Sequence, residues 1–193
     1  VPQGRWWRRM ARNVRSANAS SAEITDIAYG LQAGSAVANQ FGISAKDTAA
    51  TLALLANNGI KSSDAGTLLK SALLHLAAPS DQASAALDAL GVQAYDAQGN
   101  FVGLAALMGQ LQEASKRLTP QMFQENAAIA FGSDAARLAG IGAKEGADGF
   151  NKMATAMDRS GAAADVAAAR TKGLPGAVER ISNAVDGNGG QEK

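Results

Sequence analysis

The chain has 193 residues, of which 47% are hydrophobic and 5% aromatic, and its formal net charge is +1. That apolar content argues against a chain that is disordered throughout, and the small supply of aromatic residues favours thin layers of helices packed through Ala and Leu. The absence of cysteine excludes disulfides and thiolate metal sites, and no uninterrupted apolar run reaches the roughly 20 residues of a membrane span.

Residues 1–20 are predicted to form a basic arm that contains Trp6 and Trp7. The arginines of this arm are Arg5, Arg8, Arg9, Arg12 and Arg15. Arginine beside tryptophan suits the interface of a membrane and also suits nucleic acid, through phosphate contacts and base stacking. The simpler interpretation is a mobile terminus without a partner. Because the chain begins with Val1 and no secretory signal pattern follows, we also expect it to be part of a longer protein.

The first helix is predicted to run from Ser20 or Ser21 to Phe41, on the spacing of its apolar residues. Gly30 and Gly34 lie in its interior and each weaken it by about 1 kcal/mol. We therefore expect a bend in the middle of this helix.

Capping and breaking residues divide the next stretch, from residue 44 to residue 91, into three short helices. A hydroxyl at each start can accept a hydrogen bond from an amide of the first turn, and glycine or proline ends each helix. The predicted starts are Ser44, Ser62 or Ser63, and Ser80, and the predicted stops are Gly59, Pro79 and Gly91.

Residues 92–102 contain the one candidate for β structure. Val92, Ala94 and Phe101 lie on either side of a turn at residues 96–100, which is rich in Asp, Gly and Asn. Short apolar segments around such a turn predict a small β-hairpin.

Helical patterns resume after the turn and continue almost to the end of the chain. The predicted elements are a helix with Leu104 and Leu111 on one stripe, a helix started by Thr119 and Pro120 and ended at Gly132, a helix through Leu138 to Ile141, a helix from Phe150 to Met157, and a helix from Ala162 to Val185 that Gly173 and Pro175 split. A flexible tail follows at residues 186–193. The sequence therefore predicts an all-α domain of short helices at residues 21–185, with one small hairpin.

Three separated blocks of this pattern resemble the core region of phage tail tape-measure proteins. They are LALLANNGIKSSDAGTLLKSALLHLAAPS, ALDALGVQAYDAQGNFVGLAALMGQL and AAIAFGSDAARLAGI, and the resemblance extends from about Val37 to Val185. The positions that carry it are Gly59, Ile60, Lys61, Pro79, Gly91, Tyr95, Asp96, Gly99, Phe101, Phe131 and Gly132. Three departures from the family are the basic arm, the final helix, which does not continue into a long amphipathic segment, and the length of the chain, since family members are much longer.

The resemblance implies a structural protein of a phage or prophage tail that takes part in tail assembly and length determination as a segment of a longer parent. It also implies a place in the lumen of the virion tail, and in the host cytoplasm during assembly. The implied partners are tail assembly chaperones, tail-tube proteins and tail-tip proteins. Alanine stripes such as the one at residues 162–169 add an expectation of homo-oligomers. The arm leaves contact with DNA or a membrane open.

An enzyme is the alternative function, because some tape-measure proteins carry domains that cleave peptidoglycan. Carboxylates would perform that reaction, and the candidates are Glu113, Glu125, Glu145 and Glu179. Each lies in a helical pattern where a solvated position explains a charged residue. His75 is the single histidine, and we interpret it as a surface residue because one imidazole without cysteines does not make a zinc site. We predict no catalytic residue, no metal and no cofactor.

Overall fold

A computed structural model describes Ile27 and residues 29–159, and these residues form an all-α fold. Helix α1 occupies residues 29–40, and it is followed by α2 (Ala45–Asn57), α3 (Ser62–Ala77), α4 (Asp81–Leu90), α5 (Leu104–Arg117), α6 (Pro120–Phe131) and α7 (Ala136–Arg159). The predicted all-α class is confirmed. The predicted arm at 1–20, the helix at 162–185 and the tail at 186–193 lie outside the described residues.

Three helices begin as the sequence predicts, at a hydroxyl that accepts a hydrogen bond from an amide of the first turn. Each of these bonds satisfies an N–H group that has no partner inside its own helix. The capping residues and their backbone donors are Ser44 with Asp47 at 3.0 Å, Ser80 with Ala83 at 3.2 Å, and Thr119 with Met122 at 3.3 Å.

Helix α3 begins differently from the prediction, which placed a serine cap at Ser62 or Ser63. The helix begins at Ser62, so Lys61 occupies the capping position, and its side chain makes no capping hydrogen bond. Ser62 has a φ of 54°, in the left-handed region that residues other than glycine rarely adopt. Only Ile60 and Lys61 separate the glycine that ends α2 from α3, so a sharp chain reversal sets this helix start.

Helices α1, α2 and α4 end in the same way, at a glycine with positive φ that is followed by a buried aliphatic residue. The glycine N–H bonds to the carbonyl three residues earlier, and the next N–H bonds to the carbonyl five residues earlier. These are the two bonds of the Schellman motif, which glycine adopts without strain. The pairs are Gly42 with Ile43, Gly59 with Ile60, and Gly91 with Val92. The predicted stops at Gly59 and Gly91 are confirmed.

Helices α1 and α3 approach each other closely at glycines. A Cβ atom on Gly34 would lie 2.7 Å from the carbonyl oxygen of Gly66, and a Cβ on Gly66 would overlap the carbonyl oxygen of Gly30. The helical hydrogen bonding of α1 continues through residues 29–40, where the sequence suggested a bend. Gly30 and Gly34 therefore allow the close approach of α3.

We expect Gly66→Ala to destabilise the protein by roughly 1–3 kcal/mol, because the added methyl group forces two helix backbones apart. Gly140→Ala is the matched control, since a Cβ on Gly140 meets open space and alanine favours a helix by up to about 1 kcal/mol. Urea denaturation of both variants measures the two effects. Changes of the same sign and size would contradict the described α1–α3 contact.

The predicted β-hairpin at residues 92–102 is wrong, because the described residues contain no strand there. A single antiparallel bridge pairs Tyr95 with Phe101. The neighbouring backbone of Gln93 bonds to a side chain instead of a strand: its N–H donates to Gln110 Oε1 at 2.7 Å, and its carbonyl accepts from Gln110 Nε2 at 3.2 Å. Gly103, with a φ of 93°, then leads directly into α5. The segment is a tight turn attached to α5.

The core consists mainly of leucine and alanine, as the composition predicts. Helix α7 packs on α5, α2 and α6, and α6 packs on α4. The largest fully buried side chains are Phe131, Leu52, Leu55, Leu69, Leu73, Leu76, Leu90, Leu107, Met108, Leu111, Leu138 and Thr48. Thr48 and Thr51 are buried polar residues, and each hydroxyl donates to the carbonyl four residues earlier, at 2.8 Å. One apolar core thus joins the helices.

Helix α7 contains a break at Gly146, whose φ is 64° and ψ is −170°. The sequence predicted two separate helices in this region, one through Leu138 to Ile141 and one from Phe150 to Met157. The structure joins them into one element with a single non-helical residue. Two helical halves therefore meet without a loop.

Candidate functional site

The end of α2, directly before the motif residues 59–61, is joined to α7 through the side chain of Asn58. Its Nδ2 atom donates to the carbonyl of Leu54 at 2.9 Å and to Glu145 Oε1 at 3.3 Å. Its Oδ1 atom accepts from Lys144 Nζ at 2.8 Å. We call these contacts the Asn58 bridge. Because one amide connects the last turn of α2 to both charged groups, it fixes the middle of α7 against α2.

The motif residues of the turn at 95–101 are organised by the carboxylate of Asp96. Its Oδ1 atom accepts from the backbone N–H of Asn100 at 2.8 Å and of Gln98 at 2.9 Å, and Asn100 Nδ2 donates to Oδ2 at 3.2 Å. The backbone N–H of Gly99 donates to the Asp96 carbonyl at 3.0 Å. The hydrogen bond from the Asn100 N–H, supported by the others, holds the pKa of Asp96 below its ordinary value. The carboxylate therefore closes the turn in its charged form.

An aromatic cluster attaches this turn to the end of α1. The ring of Phe41 lies 5.6 Å from that of Phe101 and 6.5 Å from that of Tyr95, and the rings of Tyr95 and Phe101 lie 6.2 Å apart. The two pairs that include Phe101 are edge-to-face, an arrangement that is favourable at these separations. Burial raises the pKa of the Tyr95 hydroxyl, although the side chain stays partly exposed. The motif positions Tyr95 and Phe101 therefore join the turn to α1.

We expect the contribution of Asp96 to stability to be present at neutral pH and lost in acid. Since its pKa is lower in the folded state than in the unfolded state, the contribution is complete above the ordinary aspartate value of about 4 and disappears as pH falls through the folded value. Asp96→Asn should therefore be less stable than the wild type at pH 7, and the difference should shrink at pH 3. Urea denaturation at both values measures it, with Asp88→Asn on the exposed side of α4 as control. A difference that does not change with pH would contradict this role.

The motif residues Phe131 and Gly132 end α6 beside α3. Phe131 is fully buried, and Gly132 has a φ of 83°. A Cβ on Gly132 would lie 3.0 Å from Nε2 of His75, so the imidazole packs on this glycine. His75 is exposed, as predicted, and Pro79 follows the end of α3, as predicted. The end of α6 thus contacts the last turn of α3.

Three of the four carboxylates considered for catalysis lie on described helices, and each contacts another side chain. Glu113 pairs with Lys116 at 2.7 Å, Glu125 Oε1 accepts from Gln121 Nε2 at 2.9 Å, and Glu145 belongs to the Asn58 bridge. Glu179 lies outside the described residues. Within residues 29–159, no group of three or more His, Asp or Glu side chains is placed to hold a metal ion.

A groove of about 680 Å³ runs between α4 and α5. Its polar wall includes Asp88, Glu113 and Arg117. Arg117 Nη2 donates to the carbonyl of Ala89 at 3.1 Å, which satisfies an acceptor at the end of α4. The guanidinium therefore contributes to the structure of the groove.

Among the described helices, none is long and apolar enough to cross a membrane.

The described motif residues thus form joints between different pairs of elements and do not converge on one pocket. Sequence reasoning located the glycines and the turn but missed the bridging role of Asn58, the residue before the predicted stop at Gly59. It also missed Gln110, whose bonds to Gln93 replace a strand partner. No local signal marks either residue, because the partner lies far away in sequence.

Comparison with known proteins gives a consistent result. A family model described as phage-related minor tail protein matches residues 12–132. The tape measure protein of Pneumococcus phage Dp-1 is 32% identical over 176 residues, which cover 90% of this chain and 15% of that relative. The chain therefore spans a small part of the length of the relative that it matches. No solved structure matches it.

Proposed function

Because the chain belongs to the phage-related minor tail protein family and is a structural component of a phage or prophage tail, we propose that it is the folded core segment of a longer tape-measure protein. In this role it contributes to tail assembly and to length determination. The observation that carries the proposal is the continuous core that joins α2 to α7 across every helix break. A segment that served only as a spacer would not need to fold into a compact core.

The place of this segment is the lumen of the virion tail, after passage through the host cytoplasm during assembly. Its proposed partners are the tail assembly chaperones, the tail-tube proteins and the tail-tip proteins. The similarity to a tape measure protein supports both proposals. Crosslinking of intact tails followed by mass spectrometry tests them, and crosslinks confined to non-tail proteins would contradict them.

Deleting residues 44–132 in frame from the parent protein is expected to prevent the formation of normal tails, because the deletion removes most of the folded core. Electron microscopy of the lysate measures this effect. An enzyme fragment predicts a different result, namely tails of normal form that fail to degrade cell wall. Abundant normal tails after the deletion would therefore contradict the structural role.

We also propose that the segment has no muralytic activity, since each of the three described carboxylates is engaged by another side chain. The triple variant with Glu113→Gln, Glu125→Gln and Glu145→Gln is the matched test. A zymogram of the wild-type protein should show no cleared band. A band that the triple variant loses would establish the enzyme alternative.

Two further properties are proposals that concern residues outside the described part of the chain. The alanine stripe at residues 162–169 supports self-association, which sedimentation at tens of micromolar tests and a strictly monomeric species would contradict. The arginines and tryptophans of residues 1–20 support contact with DNA or an anionic membrane. Such binding should weaken steeply with added salt, and salt-independent binding would exclude it.

A further inference from the structure

The break in α7 occupies a single residue. Residues 136–145 and 147–159 are helical on either side of Gly146, and no proline or loop separates them. The backbone of Gly146, with φ 64° and ψ −170°, lies in a region that is essentially open to glycine alone. A change in the dihedral angles of one residue would therefore convert the bent α7 into one continuous helix.

The bend lies where α7 crosses α5, and both halves contact the same turn of α5. Before the break, a Cβ on Gly142 would lie 3.0 Å from Leu111. After the break, a Cβ on Gly109 would lie 3.3 Å from the Cβ of Ala147. The side-chain amide of Gln112, on α5, lies over Gly146 itself, and a Cβ atom at Gly146 would lie 2.6 Å from the Nε2 atom of that amide. The bend thus lets α7 wrap around α5.

Polar contacts near the surface hold the first half of α7 directly before the bend. Lys144 and Glu145 bind the two ends of the Asn58 amide, and Lys144 remains largely exposed. Exposed ion pairs and hydrogen bonds of this kind contribute little to stability. Straightening would restore the intrahelical bonds that the break interrupts, while the burial of Phe150 and Ala154 favours the bent form. Intrahelical hydrogen bonding therefore favours the straight form of α7, and burial of apolar side chains favours the bent form.

We propose that Gly146 is a hinge, and that the domain has a second state in which α7 is one straight helix whose second half has left α5. In that state the buried residues Phe150 and Ala154 become exposed. The Asn58 bridge holds the first half of α7 on α2 in both states, because its contacts lie before the hinge. This inference goes beyond the proposed function and does not depend on it.

The test measures the distance between spin labels on the two halves of α7 in the full 193-residue chain. Since the chain has no cysteine, Arg137→Cys and Ala156→Cys provide the only two attachment sites, and both residues are exposed. In a straight helix their Cα atoms would be about 28 Å apart, and the bent helix places them closer. Pulsed electron paramagnetic resonance resolves the two populations.

Three variants test whether the backbone preference at Gly146 or the contact with Gln112 determines the measured distance. Gly146→Ala disfavours the bent backbone and should increase the ratio of long to short distances by at least about fivefold. Gly140→Ala, in the same helix and facing open space, should leave the ratio unchanged. Gly146→Ala combined with Gln112→Ala removes the side chain that the new methyl group would meet, and it should keep the long distance.

The outcomes decide the proposal. A long distance in both Gly146 variants, with undiminished helical circular dichroism, supports the hinge. A short distance in both variants would show that the bend is static. A long distance in the single variant alone would show that the clash with Gln112 causes the change, which overturns the hinge. Loss of helical structure in both variants would show that the fold does not tolerate a straight α7, and this result also overturns the proposal.

Discussion

Duplication of residues 44–132 in a full-length parent protein should block tail assembly or lengthen the tail by far less than a helical spacer would. As a straight helix, the duplicated segment would add about 130 Å. In the structure its helices are separated at Gly59, Pro79, Gly91 and the Asp96 turn, and they pack into one core. Its contour therefore does not run along one axis. Negative-stain microscopy of the mutant particles measures the tail length.

The matched control duplicates an equal length of uninterrupted helix elsewhere in the same parent, which should lengthen the tail in proportion to the residues added. Proportional lengthening by residues 44–132, with infectivity retained, would contradict the compact form in the assembled tail.

Phe131→Ala should destabilise the domain by roughly 3–5 kcal/mol, because the ring is fully buried and its removal leaves a cavity. A loss of that size is a large part of the total stability of a typical domain, about 5–15 kcal/mol. Thermal and urea denaturation followed by circular dichroism measure the change. The variant is expected to be partly unfolded at 37 °C.

Met122→Ala in the same helix is the control, since Met122 is 48% exposed and its truncation should change the stability by no more than about 0.5 kcal/mol. Similar losses for the two variants would contradict a specific role of the buried ring, because alanine has the highest helix propensity and neither loss could come from that source. A loss below about 1 kcal/mol for Phe131→Ala would contradict the packing of α6 on α3, α4 and α7. Such a result would also weaken the proposal that this segment acts as a folded unit.

The role in the tail involves the whole domain, and the hinge involves one helix of it. The tail proposal depends on a core that keeps α2 to α7 together, whereas the hinge changes one joint inside that core. If the hinge opens, α7 alone leaves its neighbours in part, and α6 keeps its contacts with α3 and α4. Phe131→Ala and Gly146→Ala should therefore have distinct effects, the first on global stability and the second on a distance within one helix.

The starts and stops of most helices were determined by the sequence alone. The caps at Ser44, Ser80 and Thr119 and the stops at Gly59 and Gly91 are local, because the residues that form each hydrogen bond lie within five positions of one another. The all-α class and the use of Leu and Ala in the core follow from composition and periodicity, which are also local properties. Pattern reasoning works where the partner of each group is close in sequence.

Only the tertiary structure decided the remaining features. Gln110 takes the backbone bonds of Gln93 and leaves a turn where a hairpin was predicted. Gly30 and Gly34 are positions of close contact because Gly66 packs against them, and the break in α7 at Gly146 lies against Gln112 of α5. In each case the deciding partner lies on another helix, far away in sequence. The energy of such a contact depends on how the helices pack, so no local preference of the chain could specify it.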